Sequence, residues 1–143
     1  MTAKTTALES AYRATTYRVA LPTGMLELRI GQADERLARW LSASRDQQFA
    51  IVTAYNPGSV LMDEAPNHDR QERLLKQLLA SGYSVLPAWN VPDTSDWPIE
   101  ESFFVSGISA SVASALAAEY GQNAIVCGGA EGLAQLVWIQ ENK

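Results

Sequence analysis

Cysteine and histidine are nearly missing, with one of each, Cys127 and His68, in 143 residues. A lone cysteine excludes an intramolecular disulfide, and the two together are too few for a Cys/His zinc site, so no metal and no cofactor are expected. Long apolar runs are also missing. Nothing approaches the ~18 residues of a membrane-spanning helix, and no stretch reads as a signal-peptide core or a lipidation box. The expected compartment is therefore the cytoplasm, with no membrane partner. Positive charge is scarce: 11 Lys and Arg stand against 16 Asp and Glu, a net charge of −5. Such a surface repels phosphate backbones, so no nucleic acid is expected as a partner.

What is present suits a packed core. Apolar residues make up 47% and charged residues 19%, which argues against disorder. The length predicts one globular domain over 1–143, with residues 1–15 as a loosely attached N-terminal helix. Hydrophobic periodicity predicts helices over 3–14, 33–44, 64–81 and 110–120, the last capped by Ser109 with Val112, Ala113, Leu116, Ala117 and Tyr120 facing inward. Strands are predicted over 17–21, 25–30, 49–54, 83–87, 102–107, 123–127 and 133–139. The first two read as a hairpin across Pro22-Thr23-Gly24 near a sheet edge. The runs at 49–54, 102–107 and 123–127 read as interior strands. Residues 88–99 read as a loop and Gly128-Gly129 as a turn. The expected fold class is α/β or α+β, a mixed β-sheet with packed helices, sandwich-like.

Polar residues in apolar phase are the most informative feature. The helix over 64–81 carries its stripe at Leu74, Leu75, Leu78 and Leu79. Counting back by four and seven puts Asn67, Arg70 and Gln71 on the same face, near the helix start. Buried polar groups need partners, from the protein or from a ligand. Arg70 beside free helix N–H groups would suit an anion. The plainer alternative makes Asn67 an N-cap and pairs Arg70 with a carboxylate such as Glu100. Tyr55-Asn56-Pro57-Gly58-Ser59 follows a core strand, where open sheets place ligands, although Asn-Pro-Gly is also ordinary turn chemistry. Glu100 and Ser102 stand at a strand entrance, and a desolvated Glu100 is a candidate base. Glu101 reads as an exposed acid. Gln122 and Asn123 could read a polar ligand or satisfy loose backbone. His68 reads as a solvated helix residue and Cys127 as core packing. Gly128-Gly129-Ala130-Glu131-Gly132 lacks the context of a P-loop or a dinucleotide fingerprint.

The segments Ala54-Tyr55-Asn56-Pro57 and Gly121-Gln122-Asn123-Ala124 stand in order with Asn67, Arg70, Gly82-Tyr83, Trp97-Pro98, Glu100 and Ser102-Phe103. In this the chain resembles the bacterial domain-of-unknown-function family three-two-nine-three, from about Phe49 to Val126. Glu101 departs from the pattern, where a proline would precede Ser-Phe. The resemblance implies no settled activity. It does pick out Tyr55, Asn56, Asn67, Arg70, Glu100, Ser102, Gln122 and Asn123, the positions already marked by helix phase and strand ends. The function expected is binding, with or without transformation, of a small polar anion such as a nucleotide or phosphorylated metabolite at this Tyr/Asn/Arg/Glu cluster. The alternative is a protein-interaction or regulatory module anchored by Trp89 and Trp97.

Overall fold

A computed structural model describes residues 3–139; residues 1–2 and 140–143, the ends of the expected 1–143 span, lie outside the described residues. Helix α1 (Ala3–Arg13) leads into a hairpin of β1 (Thr15–Leu21) and β2 (Gly24–Leu28), followed by α2 (Glu35–Ala43) and β3 (Gln48–Val52). A short 3-10 turn at Pro57–Ser59 precedes α3 (Glu64–Ala80) and β4 (Ser84–Pro92). Then come β5 (Glu100–Ser106), α4 (Ala110–Glu119), β6 (Ala124–Gly129) and β7 (Gln135–Trp138). The strands form one curled sheet in the order β2-β1-β4-β5-β3-β6-β7.

Alternation along the strands explains why helices cover both faces. In β3, Phe49 and Ile51 join Tyr17, Val19, Leu26, Leu37, Leu41, Phe104 and Val126 in one core layer. Ala50 and Val52 point the other way and join Leu74, Leu78, Val105, Ile108, Ala113 and Ala117. A strand covered on both faces must be apolar at every position, which is why residues 49–52 show no polar alternation. The first layer packs α2 through Leu37 and Leu41; the second packs α3 and α4. Asp34 caps α2 by accepting from the Leu37 N–H at 2.9 Å, and Ser109 caps α4 by accepting from the Val112 N–H at 3.1 Å. Each cap satisfies an N–H the helix cannot.

Of the two expected classes the α+β form is found. All six ladders are antiparallel, so the sheet does not mix parallel with antiparallel pairs. Three further expectations are corrected. β4 runs on through Ala88–Pro92, read from sequence as loop, because β1 and β5 pair with it from both sides, Thr16↔Val91 and Ala88↔Ser102 among the registers. Pro87 is tolerated because β1 pairs no further than Ala88, so the missing N–H removes no rung there. Gly128 and Gly129 belong to β6, paired with Phe49 and Gln48, and the turn lies beyond them. Val112 and Leu79, read as inward-facing, are 46% and 56% exposed, since only one stripe of each helix meets the sheet.

Gly128 shows how tightly the first layer is packed. A Cβ there would lie 2.1 Å from the Leu133 carbonyl oxygen and 2.8 Å from the Phe49 ring. Gly128→Ala is expected to lose about 1–3 kcal/mol of stability, the cost of overpacking, read from the midpoint of urea unfolding. An unchanged midpoint would mean that the Leu133 carbonyl and the Phe49 ring can move away freely.

Candidate functional site

The end of β3 opens into a corner built on Asn56. Its backbone is left-handed, with φ 46° and ψ 63°, a conformation asparagine tolerates better than most residues. Buried to 4% exposure, it uses every polar group it shows. Its N–H donates to Asn67 Oδ1 at 2.8 Å, and its Oδ1 accepts from Asn67 Nδ2 and from the Met62 N–H, both at 2.8 Å. Its Nδ2 donates to Glu100 Oε2 at 2.7 Å. Asn67 is therefore not the N-cap of α3, a position held by Asp63. It is the interior helix residue that clasps the corner.

Arg70 is spent on the backbone. Its Nε donates to the Ala54 carbonyl at 3.0 Å, a terminal NH2 donates to the Tyr120 carbonyl at 2.5 Å, and its guanidinium lies 5.5 Å from the Tyr120 ring centroid. It pairs neither with an anion pocket nor with Glu100. Gln71 accepts from the Ala54 N–H at 2.9 Å. The helix face read from sequence is thus the face that ties α3 to the end of β3. Gln122 donates to the Tyr55 carbonyl at 3.0 Å, and Gly58 N–H donates to the Gly121 carbonyl at 2.7 Å. A side chain at Gly121 would press on Pro57 Cβ at 3.0 Å, so this close approach needs glycine.

Successive residues of a strand face opposite sides, and β5 sorts its two acids this way. Glu101 points toward α3, where Tyr55 donates its phenol to Glu101 Oε2 at 2.5 Å with Glu64 Oε1 at 3.0 Å. Burial, then these acceptors, raise the Tyr55 pKa, so the phenol keeps its proton. The exposed His68 stands 3.2 Å from Glu72 and 3.9 Å from the same Glu101. Glu100 points to the other face, into a cavity of about 490 Å³ between α1, the 93–99 loop and the sheet.

The cavity brings together Tyr55, Asn56, Glu100 and Gln122 of the predicted residues; Asn67, Arg70, Ser102 and Asn123 are outside its wall. Two of these support it from behind. Ser102 donates to Asn90 Oδ1 at 2.8 Å, and Asn123 Nδ2 donates to Ser59 Oγ at 2.9 Å; Asn90 and Ser59 both line the space. Tyr12 lines the same space, and burial pushes its pKa up to about 12. Tyr12 also meets Trp138 edge-on, with centroids 5.9 Å apart. The sequence reading missed this roof: Leu8, Ala11, Tyr12 and Tyr17 complete the wall from α1 and β1. Only the spacing of Leu8, Ala11 and Tyr12 hinted at it, and that spacing fits ordinary core equally well. Trp97 lines the cavity together with Glu100, while Trp89 lies half-buried in β4 opposite Arg18 and Glu101. Neither stands free on a loop. Asp93, beyond β4, is held by both terminal nitrogens of Arg29 at 2.9 and 2.8 Å, which lowers its pKa.

Burial raises the Glu100 pKa, partly offset by the hydrogen bond from Asn56. A carboxyl whose folded pKa is raised adds stability that is fully present below the unfolded value and lost as pH rises through the folded one. Wild type should therefore gain stability over Glu100→Gln as pH falls from neutral toward ~4.3, in urea midpoints taken across that range. Parallel curves for the two proteins would contradict the assignment. Arg70→Ala should cost about 1–3 kcal/mol by freeing two carbonyls, and Arg70→Lys should recover only part of it, because an ammonium cannot reproduce the guanidinium fork. Chemical unfolding reads both; full recovery with Lys would show that charge alone matters.

Neither the curated proteins nor the solved structures contain a significant match to the chain. A family model described as "Protein of unknown function (DUF3293)" matches residues 52–125, just over half of the chain. The match takes in the Asn56 corner, Trp97, Glu100 and Gln122, and leaves the α1 roof outside. The chain therefore belongs to the DUF3293 family of proteins of unknown function.

Proposed function

We propose that this protein binds a small, largely apolar ligand in the cavity between α1 and the sheet, with a polar end at Asn56, Glu100 and Gln122. The observation that carries the reading is the cavity itself. Its volume of about 490 Å³ falls in the range of small-molecule sites, and its walls are mainly apolar with a few convergent polar groups, as such sites are. The anion foreseen from sequence does not suit it: Arg70 is bound to backbone carbonyls, and the wall contains the carboxyls of Asp96 and Glu100 but no Lys, Arg or His among the described residues. Glu100 is the group placed to take a proton if the ligand is also transformed. The cytoplasm remains the proposed compartment, in keeping with the one unpaired, buried cysteine.

A second reading, a protein-interaction module, draws on one observation. Val60, Leu61 and Ile99 are 65%, 58% and 59% exposed, and large apolar side chains left in water often mark contact surfaces. These residues would replace Trp89 and Trp97 as anchors.

The cavity reading is tested with 2-phenylethanol as a neutral probe, followed by protein-observed NMR. Resonances of the lining residues should shift. Ala124→Phe, which grows from β6 into the space beside Val126, should abolish the shifts while the protein stays folded. Shifts confined to the Val60–Met62 segment would favour the interaction module, and shifts unaffected by Ala124→Phe would overturn the cavity reading.

A further inference from the structure

Resting on the cavity reading, the charge around Glu100 narrows the class of ligand. Glu100 is half-buried and held by Asn56 Nδ2 at 2.7 Å, with Trp97 beside it in the cavity lining. That donor is neutral, and a carboxylate has about four lone-pair sites, so acceptor capacity remains. Among the described residues no ion pair is made to Glu100. Arg29 chelates Asp93, and Arg70, on the opposite face of the sheet, holds two carbonyls. A carboxylate withdrawn from water without a counter-charge is costly, and a cation seated on it recovers much of that cost. Tyr12, Tyr17 and Trp97 stand on the same wall, and aromatic faces attract cations. An anion would instead meet Glu100 and Asp96 with like charge.

We propose that the ligand is an organic amine, its ammonium on Glu100 and its apolar body between α1 and the sheet. The test compares three probes of similar size, phenethylamine, 2-phenylethanol and phenylacetate, by NMR titration of the cavity-lining resonances of the whole chain. Phenethylamine should bind roughly tenfold or more tightly than the alcohol, the gain of a charge-assisted hydrogen bond, and phenylacetate should bind weakest. Glu100→Gln should bring amine and alcohol to equal affinity. If that variant fails to fold, the wild-type ranking decides. An alcohol or a carboxylate that binds as well as the amine overturns the amine proposal and leaves the cavity reading standing. Failure of all three to shift the lining resonances overturns both.

Discussion

The Asn56 side chain is the joint on which this end of the molecule depends. One carboxamide faces two ways: its oxygen holds Asn67 and the Met62 N–H on the α3 side, and its nitrogen holds Glu100 on the cavity side. A buried amide with three of its four hydrogen-bonding sites used is stiff, because a shift that improves one bond breaks another. The left-handed backbone at this residue is maintained by that network, since the loop alone would not favour it. The position of the cavity's one half-buried acid is thus set by a residue whose other contacts are purely architectural.

The cavity exists because α1 meets the sheet mainly through its last turn. The Tyr17 phenol donates to the Tyr12 carbonyl at 3.3 Å, Arg29 to the Arg13 carbonyl at 3.0 Å, and the Asp93 N–H to the Ala14 carbonyl at 2.9 Å. Those contacts fasten the helix where the chain enters β1. Along the rest of the wall, small residues such as Ala11, Ala14 and Ala124 do not fill the space as the leucines of α2 fill theirs. A packed core tolerates few voids, so a space of this size with polar groups at one end is a feature of the fold.

Arg70 shows how one residue can carry two opposite readings. Its helix phase and charge are those of an anion ligand, and its actual partners are two carbonyls at the ends of other elements. Both uses draw on the same guanidinium donors. What separates them is the side of the sheet: α3 covers the face opposite the cavity, so an anchor on α3 cannot reach into it. Glu101 is exposed, as read from sequence, and it also takes the Tyr55 phenol and holds that ring in place.

Much of the architecture was legible along the chain. Among the described residues the four helices, the seven strands, the interior standing of β3, β5 and β6 and the β1–β2 hairpin follow from periodicity, caps and turn residues, because these are set by neighbours within a few positions. The polar cluster was legible as a set, since Asn56, Asn67, Arg70, Glu100 and Gln122 stand where apolar residues or plain turns would otherwise serve. Its division was not. Which members face the cavity and which brace it depends on strand order, on the face each helix covers and on a roof from residues 8–17, more than 30 positions before Tyr55. Local pattern reports which residues are buried together with their near neighbours. Only the curled sheet, with β5 inserted between β4 and β3, brings Glu100 and Tyr12 to one cavity and turns Arg70 away from both.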